Sequence, residues 1–392
     1  MTSIPEYAYP DRPADTLSVR SPSAMLASIP YLVGFQPRNS LVLLLLAPPR
    51  GRIKLTMRID LPDNDAPLIA TALASELAAR VSHVGAESAI AVIFSDDAGS
   101  AGTGDFDRYP HPHLANALVT ELGVFGIELV DAMLVSHDRR WSYLCDNDYC
   151  CPAEGVPVGD DESRAVRARL VVEGFAPAAS REEVVARIAP DPQGQQLVAD
   201  VLGTIDESHH EGWGPADFYR LTALVIEESN LARFAGSGEA DTSFVPEEMR
   251  EFRHAHIAQL LHLLDSIWIR DLVMRKVILD GAGDRSARSL CDAFCDVLRW
   301  APVGYVAPIA TITALMSWQA GDGLIAVEAL TRALDDNPDY YMAKLTMDAI
   351  DGGLPPARML EVFERMSEED CLGGRTVVDV DPDSGAGQSA RA

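Results

Sequence analysis

The chain has 392 residues, a formal net charge of -27 and a hydrophobic content of 47%. That length and apolar fraction suffice for two ordinary domains, or for one large domain with an appendage. The acidity argues against a phosphate-backbone binder, whose affinity rests on clustered lysine and arginine, and no dense basic cluster offsets it.

Such a charge serves solubility, or attraction to a basic partner. No apolar run approaches the ~18 residues of a membrane helix. The N-terminus, MTSIPEYAYPDRPADT, lacks the basic-then-apolar order of a signal peptide. The expectation is a cytoplasmic chain that binds neither membrane nor nucleic acid. Six cysteines, at 145, 150, 151, 291, 295 and 371, do not form the dense framework of a small secreted protein, so reduced thiols are expected.

Residues 1–20 are rich in proline and polar groups and read as a loose tail. Ser21-Pro22-Ser23 caps a short helix over Ala24–Ile29, and Gly34 and Pro37 make a corner. Leu41, Val42, Leu43, Leu44, Leu45 and Leu46 form an unbroken apolar run of strand length. After a loop at Pro48, Pro49 and Gly51, Ile53, Leu55, Met57 and Ile59 alternate with Lys54, Thr56 and Arg58, which completes a hairpin.

The stretch IPYLVGFQPRNSLVLL, with DRRWSYLCDNDYCCPAEGVPV further on, resembles an actinobacterial family described as domain of unknown function 4192. The resemblance extends over most of residues 20–365. It implies that the cysteine loop is a hallmark of the family, and it implies no activity.

Pro67–Val81 carries helical periodicity, Ser88–Phe94 reads as a strand, and residues 95–110 as a polar, glycine-rich loop. Leu114–Leu122 is a helix and Ile127–Val135 a strand ending at Ser136-His137-Asp138. This alternation predicts an α/β domain, three-layered, with a mainly parallel sheet and right-handed crossovers. Trp141 and Tyr143 alternate with Ser142 and Leu144 as an edge strand. Two helical pieces follow, Ser163–Val172 and Ser180–Ile188, the second opening on a capping box of Ser180 and Glu183.

From about 191 every segment reads as helix: 193–205, 215–228, 246–277, 285–299, 305–319, 323–335, 340–350 and 355–367. Within 310–338, Ala314, Gly321, Ala326, Ala333 and Pro338 fall at tetratricopeptide-like positions, although Ala310 stands where that pattern places tryptophan. The expected organisation is a flexible tail at 1–20, an α/β domain at 21–190, an all-helical domain with tetratricopeptide-like hairpins at 191–372, and a disordered tail at 373–392.

Ligands of such sheets bind beyond the carboxyl ends of the strands. Asp96, Asp97, His137 and Asp138 are therefore the candidate catalytic groups, with His137 as a base. Arg139, Arg140, Trp141 and Tyr143 are the candidate binding groups, the arginines for an anion. A salt-bridged surface cluster explains the same residues.

Cys145, Cys150 and Cys151 are three soft ligands within seven positions and the candidate metal site, zinc being the ion they suit. Against this, adjacent cysteines diverge, and His137 or Cys371 would have to complete the set. Otherwise no cofactor is expected. Cys291 and Cys295 sit four apart on a helix and read as core. His254, His256 and His262 share no ligand register, and His209-His210 after Asp206-Glu207 reads as a solvated loop.

No GxSxG elbow or phosphate-binding loop occurs, and GSAGTG at 99–104 reads as a flexible loop. Two classes of function remain. The first is a protein-interaction or regulatory module that contacts a protein partner through its helical domain. The second is a metal- or nucleotide-dependent hydrolase working near Asp96 and His137.

Overall fold

The computed structural model describes residue 19 and residues 21–48, 51–96, 109–172, 176–206, 213–236, 247–280 and 284–373. Most of both expected tails, Asp97 and the 99–104 loop lie outside these residues.

The first helix, α1 (Pro22–Val33), starts where the Ser21 hydroxyl accepts the Ala24 N–H at 3.2 Å and stops at Gly34, whose φ of 85° suits glycine. Then come β1 (Ser40–Ala47), β2 (Arg52–Asp60), α2 (Pro67–Val81), β3 (Ser88–Phe94), α3 (Pro112–Val124), β4 (Glu128–Ser136), β5 (Arg139–Ser142) and β6 (Val156–Pro157). The strands form one six-stranded sheet in the order β2-β1-β3-β4-β5-β6.

The sheet is mixed, and among the described strands only β3 and β4 pair in parallel. This corrects the expectation of a mainly parallel sheet, and the reason is the position of β1. The helical connections do join strands of like direction, β2 to β3 through α2 and β3 to β4 through α3. But β1 lies between β2 and β3 and runs against both. As the most apolar strand it takes the place where both its faces and both its edges are covered.

Packing explains the unbroken apolar run. Leu41, Leu43 and Leu45 face α2 and α3, packing with Ala74, Leu77, Leu114 and Leu118. Val42 and Leu44 face the other way, against Leu26 and Ile29 of α1. A strand buried on both faces has no polar side to show. In β2, Leu55, Met57 and Ile59 pack toward the α2 and α3 side, in keeping with its alternation.

After α4 (Asp161–Val172) and α5 (Arg181–Ala186) the described chain is helical: α6 (Pro192–Leu202), α7 (Pro215–Gly236), α8 (Glu247–Leu264), α9 (Ile267–Asp280), α10 (Asp284–Trp300), α11 (Val306–Gln319), α12 (Gly323–Asp336), α13 (Tyr341–Asp351), α14 (Pro356–Arg365) and α15 (Glu368–Leu372). Of the capping box expected at Ser180, one half forms: its hydroxyl takes the Glu183 N–H, but the Glu183 carboxylate takes the Ala179 N–H, one residue before the cap, and not the N–H of Ser180. The single long helix expected over 246–277 is instead α8 and α9, broken at Asp265-Ser266. There the Asp265 and Ser266 amides bond three residues back, to His262 and Leu263, a tightened last turn.

One large core unites these helices, and Val184 and Ile188 of the α5 region belong to it. Phe35, just after α1, joins that core as well, and its strand-like bridge to Ala178 ties the two parts of the chain together. Arg80 at the end of α2 adds a second tie, an ion pair with Asp351 at 3.3 Å. Asp336 at the end of α12 accepts the Gly304, Val306 and Ala307 N–H groups and so caps α11 across the hairpin.

Candidate functional site

The site is built on β4 and β5. Ser136 pairs with Arg139, so His137 and Asp138 are the two central residues of a tight hairpin turn. Both have positive φ, 45° and 63°, the pattern of the two-residue turns whose twist matches the strands. Sequence reading treats Ser136-His137-Asp138 as an open strand end; here the chain reverses at once into β5. His137 Nδ1 lies 2.9 Å from Ser136 Oγ. Asp96 is exposed beyond β3, at the same end of the parallel pair, and its amide is held by Asn39 Oδ1 at 3.3 Å.

Alternation along β5 then sorts the next residues. Trp141 pairs with Leu134, a core residue of the α2 and α3 side, so Arg139, Trp141 and Tyr143 share that side. Arg140 pairs with Val135 and points to the α1 side, where its buried Nε has no hydrogen-bond partner.

Each of the three residues on the α3 side holds a neighbouring loop by a backbone carbonyl. Arg139 donates from one guanidinium nitrogen to Glu154 O at 2.9 Å and Gly155 O at 2.6 Å. Trp141 Nε1 donates to Ala153 O at 3.1 Å. The Tyr143 hydroxyl donates to Pro110 O, and burial, then the Asp65 carboxylate, push its pKa up so that it remains a donor. Tyr109 stands edge-on to Tyr143 at 5.7 Å and 6.1 Å from Trp141, completing an aromatic group at the start of α3. β5 is not an edge strand, because β6 pairs outside it.

The loop thus clamped carries the three cysteines. Its fold centres on Asn147, whose carbonyl accepts the Cys150 and Cys151 N–H groups at 3.1 and 2.8 Å, while its side chain accepts the Tyr149 N–H. That double acceptance turns the chain so that adjacent Cys150 and Cys151 do not diverge: with Cys145, the three sulfur atoms all lie within 4.8 Å of one another. Cys145 Sγ and Cys150 Sγ are 3.1 Å apart. The expected obstacle to a shared site is therefore removed by one backbone carbonyl.

Charge is unevenly spread over the trio. A hydrogen bond from Cys150, then the Asn147 backbone, holds Cys145 below the usual thiol range. Cys150 is raised, chiefly by its hydrogen bond to Cys145. Burial and Cys145 push Cys151 up to about 12. Cys145 is thus the thiol of the three that ionises most readily, its thiolate supported by the Cys150 hydrogen bond. Cys150 is exposed, Cys151 is buried, and the ring of Tyr149 between the aspartates and the cysteines is 97% exposed.

Elsewhere the cysteines pack as expected. Cys291 and Cys295 are buried in the helical core, Cys291 Sγ lying 3.0 Å from Ser317 Oγ, and Cys371 is buried there too. His256 pairs with Glu228 at 2.8 Å, and His254 stacks on Trp300. His209 and His210 lie outside the described residues. Sequence reading assigned Arg139 and Trp141 to a ligand; period-two alternation from β5 into the loop is the signal that shows them facing the same way. It takes Gly155 only as part of a constrained loop with Pro152 and Pro157, and it overlooks Asn147 altogether.

These features define a mixed α/β sheet joined to a large helical core, with a cysteine loop clamped to the sheet. The chain belongs to the family described as "Domain of unknown function (DUF4192)", whose profile matches residues 22–357 and includes the cysteine loop. No curated protein and no solved structure matches the chain. Among the described residues, no helix is long and apolar enough to cross a membrane.

Proposed function

We propose that the protein is a regulatory, protein-interaction module that presents its cysteine loop to a partner. The carrying observation is a contrast within one loop. Its backbone is fixed by the Arg139 and Trp141 bonds to residues 153–155, while Tyr149 at its tip is 97% exposed. An exposed aromatic on a backbone already held costs less to order on binding, and aromatics are common anchors of interfaces. The reading includes a layered α/β unit over residues 21–190, a helical unit over 191–372 with tetratricopeptide-like hairpins, and a cytoplasmic setting that keeps thiols reduced.

The hydrolytic alternative at Asp96, Asp97, His137 and Asp138 draws less support, because His137 and Asp138 have a sufficient local reason to be polar: they make a tight turn. Arg140 remains the candidate binding group with an unpartnered buried nitrogen, and belongs to that alternative.

The test is a photoreactive residue placed at position 149 and, as a control, at the exposed Val303 of the helical half. A discrete adduct in cells from position 149 and not from 303 supports the reading. Identical patterns from both positions overturn it.

A further inference from the structure

We propose that Cys145, Cys150 and Cys151 bind one zinc-class cation through three sulfurs, leaving a fourth coordination position open to solvent or to a donor from outside the chain.

Four features of the loop carry this. The first is spacing. Zinc–sulfur bonds of ~2.3 Å in a tetrahedron put sulfurs roughly 3.8 Å apart. The trio spans that value, from 3.1 Å between Cys145 and Cys150 to a limit of 4.8 Å for all three. Small side-chain rotations suffice to admit the ion.

The second is preorganisation. The Asn147 carbonyl turns the backbone at Cys150 and Cys151, and the bonds from Arg139 and Trp141 hold the loop's far end. A site whose supports are already in place forgoes much of the ordering cost of binding.

The third is donor chemistry. An all-sulfur set favours zinc-class and softer ions over calcium or magnesium, which take oxygen. Asp146 and Asp148 are exposed beside the sulfurs and, with a chain charge of -27, favour the approach of a cation.

The fourth is the coordination count. Among the described residues, Cys145, Cys150 and Cys151 form a group of three, with no further histidine, cysteine or carboxylate close enough to belong to it. His137 and Cys371, the completing ligands considered from sequence, are not in it. Three protein ligands with an open position mark sites that exchange a ligand rather than sites that only hold a fold. The inference stands apart from the interaction reading: either can fail while the other holds.

The experiment uses the full chain, reduced with a non-thiol reductant and stripped with a chelator. Cobalt(II) is titrated in as a spectroscopic stand-in, then displaced with zinc, and zinc affinity is measured against a chromophoric chelator. Expected are one equivalent of cobalt, a sulfur-to-cobalt charge-transfer band, and its loss on adding one equivalent of zinc. Cys145→Ser, Cys150→Ser and Cys151→Ser should each weaken zinc binding at least ~10-fold, while Cys371→Ser leaves it unchanged.

Circular dichroism checks that each variant is folded, and the chelator competition needs no variant at all. Absence of the band, zinc binding that survives Cys150→Ser undiminished, or a reduced wild-type chain that does not compete with the chelator would each overturn the proposal. So would a chain that, under the same reducing conditions, holds Cys145 and Cys150 as a disulfide in place of the metal.

Discussion

The indole of Trp141 occupies the space that a side chain at Gly155 would need. A Cβ at 155 would lie 2.6 Å from Trp141 Cζ2 and 2.9 Å from Nε1, and Gly155 has a φ of +74°. The same indole bonds to Ala153 O, so ring and glycine form a single clamp on the cysteine loop. Gly155→Ala should therefore cost about 1–3 kcal/mol from backbone strain and clash together. Urea unfolding measures the loss, and faster alkylation of Cys151 in the folded state should accompany it. A neutral Gly155→Ala would mean that the ring and the loop are not in contact in solution.

The turn at His137 and Asp138 makes an opposite prediction, a gain. Both residues hold left-handed conformations that Asn-Gly adopts more readily. The double change His137→Asn with Asp138→Gly should stabilise the chain by about 0.5–1 kcal/mol, read as a higher urea midpoint at unchanged slope. A large destabilisation would show that these side chains do more than turn the chain.

Cys145 should be the first of the trio to react with iodoacetamide. Its pKa lies below the usual thiol value because Cys150 donates to it, so its thiolate persists to lower pH than that of an isolated cysteine. Cys151, pushed up to about 12, stays protonated across the neutral range. Replacing the donor, in Cys150→Ala, should move the pH profile of Cys145 alkylation upward. Mass mapping of partly alkylated, metal-free protein between neutral and mildly alkaline pH reads both effects. Equal labelling of Cys145 and Cys151 would contradict the charge distribution described above.

Asp336 caps a helix that begins 30 residues before it, accepting N–H groups from Gly304, Val306 and Ala307. Asp336→Ala should cost about 1–2 kcal/mol and speed exchange of those amides. Asp336→Asn, which keeps an acceptor, should recover part of the loss.

How far these features could be read from the chain depends on the range of the interactions that make them. The Leu41–Leu46 strand, the side-chain cap at Ser180 and most of the helices after 191 follow from local pattern and are present. Strand direction is not local. Nothing in the spacing of Ser88–Phe94 reveals that β1 stands between it and β2, so the sheet was expected parallel where it is mixed. The 246–277 helix shows the same limit on a smaller scale, because Asp265-Ser266 is compatible with helix until tertiary packing turns the chain there.

The candidate site was legible in its ingredients and not in its arrangement. The three cysteines stand out by type and spacing alone. Their convergence depends on Asn147, an ordinary loop residue by sequence, and on Arg139 and Trp141, the candidate binding groups whose side chains donate to carbonyls at the loop's far end.

Five of the six thiols also divide the molecule into two observable halves. Cys145 and Cys150 stand at the surface of the clamped loop, while Cys291, Cys295 and Cys371 are sealed among the helices. A reagent added to the native chain meets the first pair at once and the second group only when the helical core parts. The slow phase of such labelling is a clock for opening of that core, running without any introduced probe, while the fast phase reports separately on the loop.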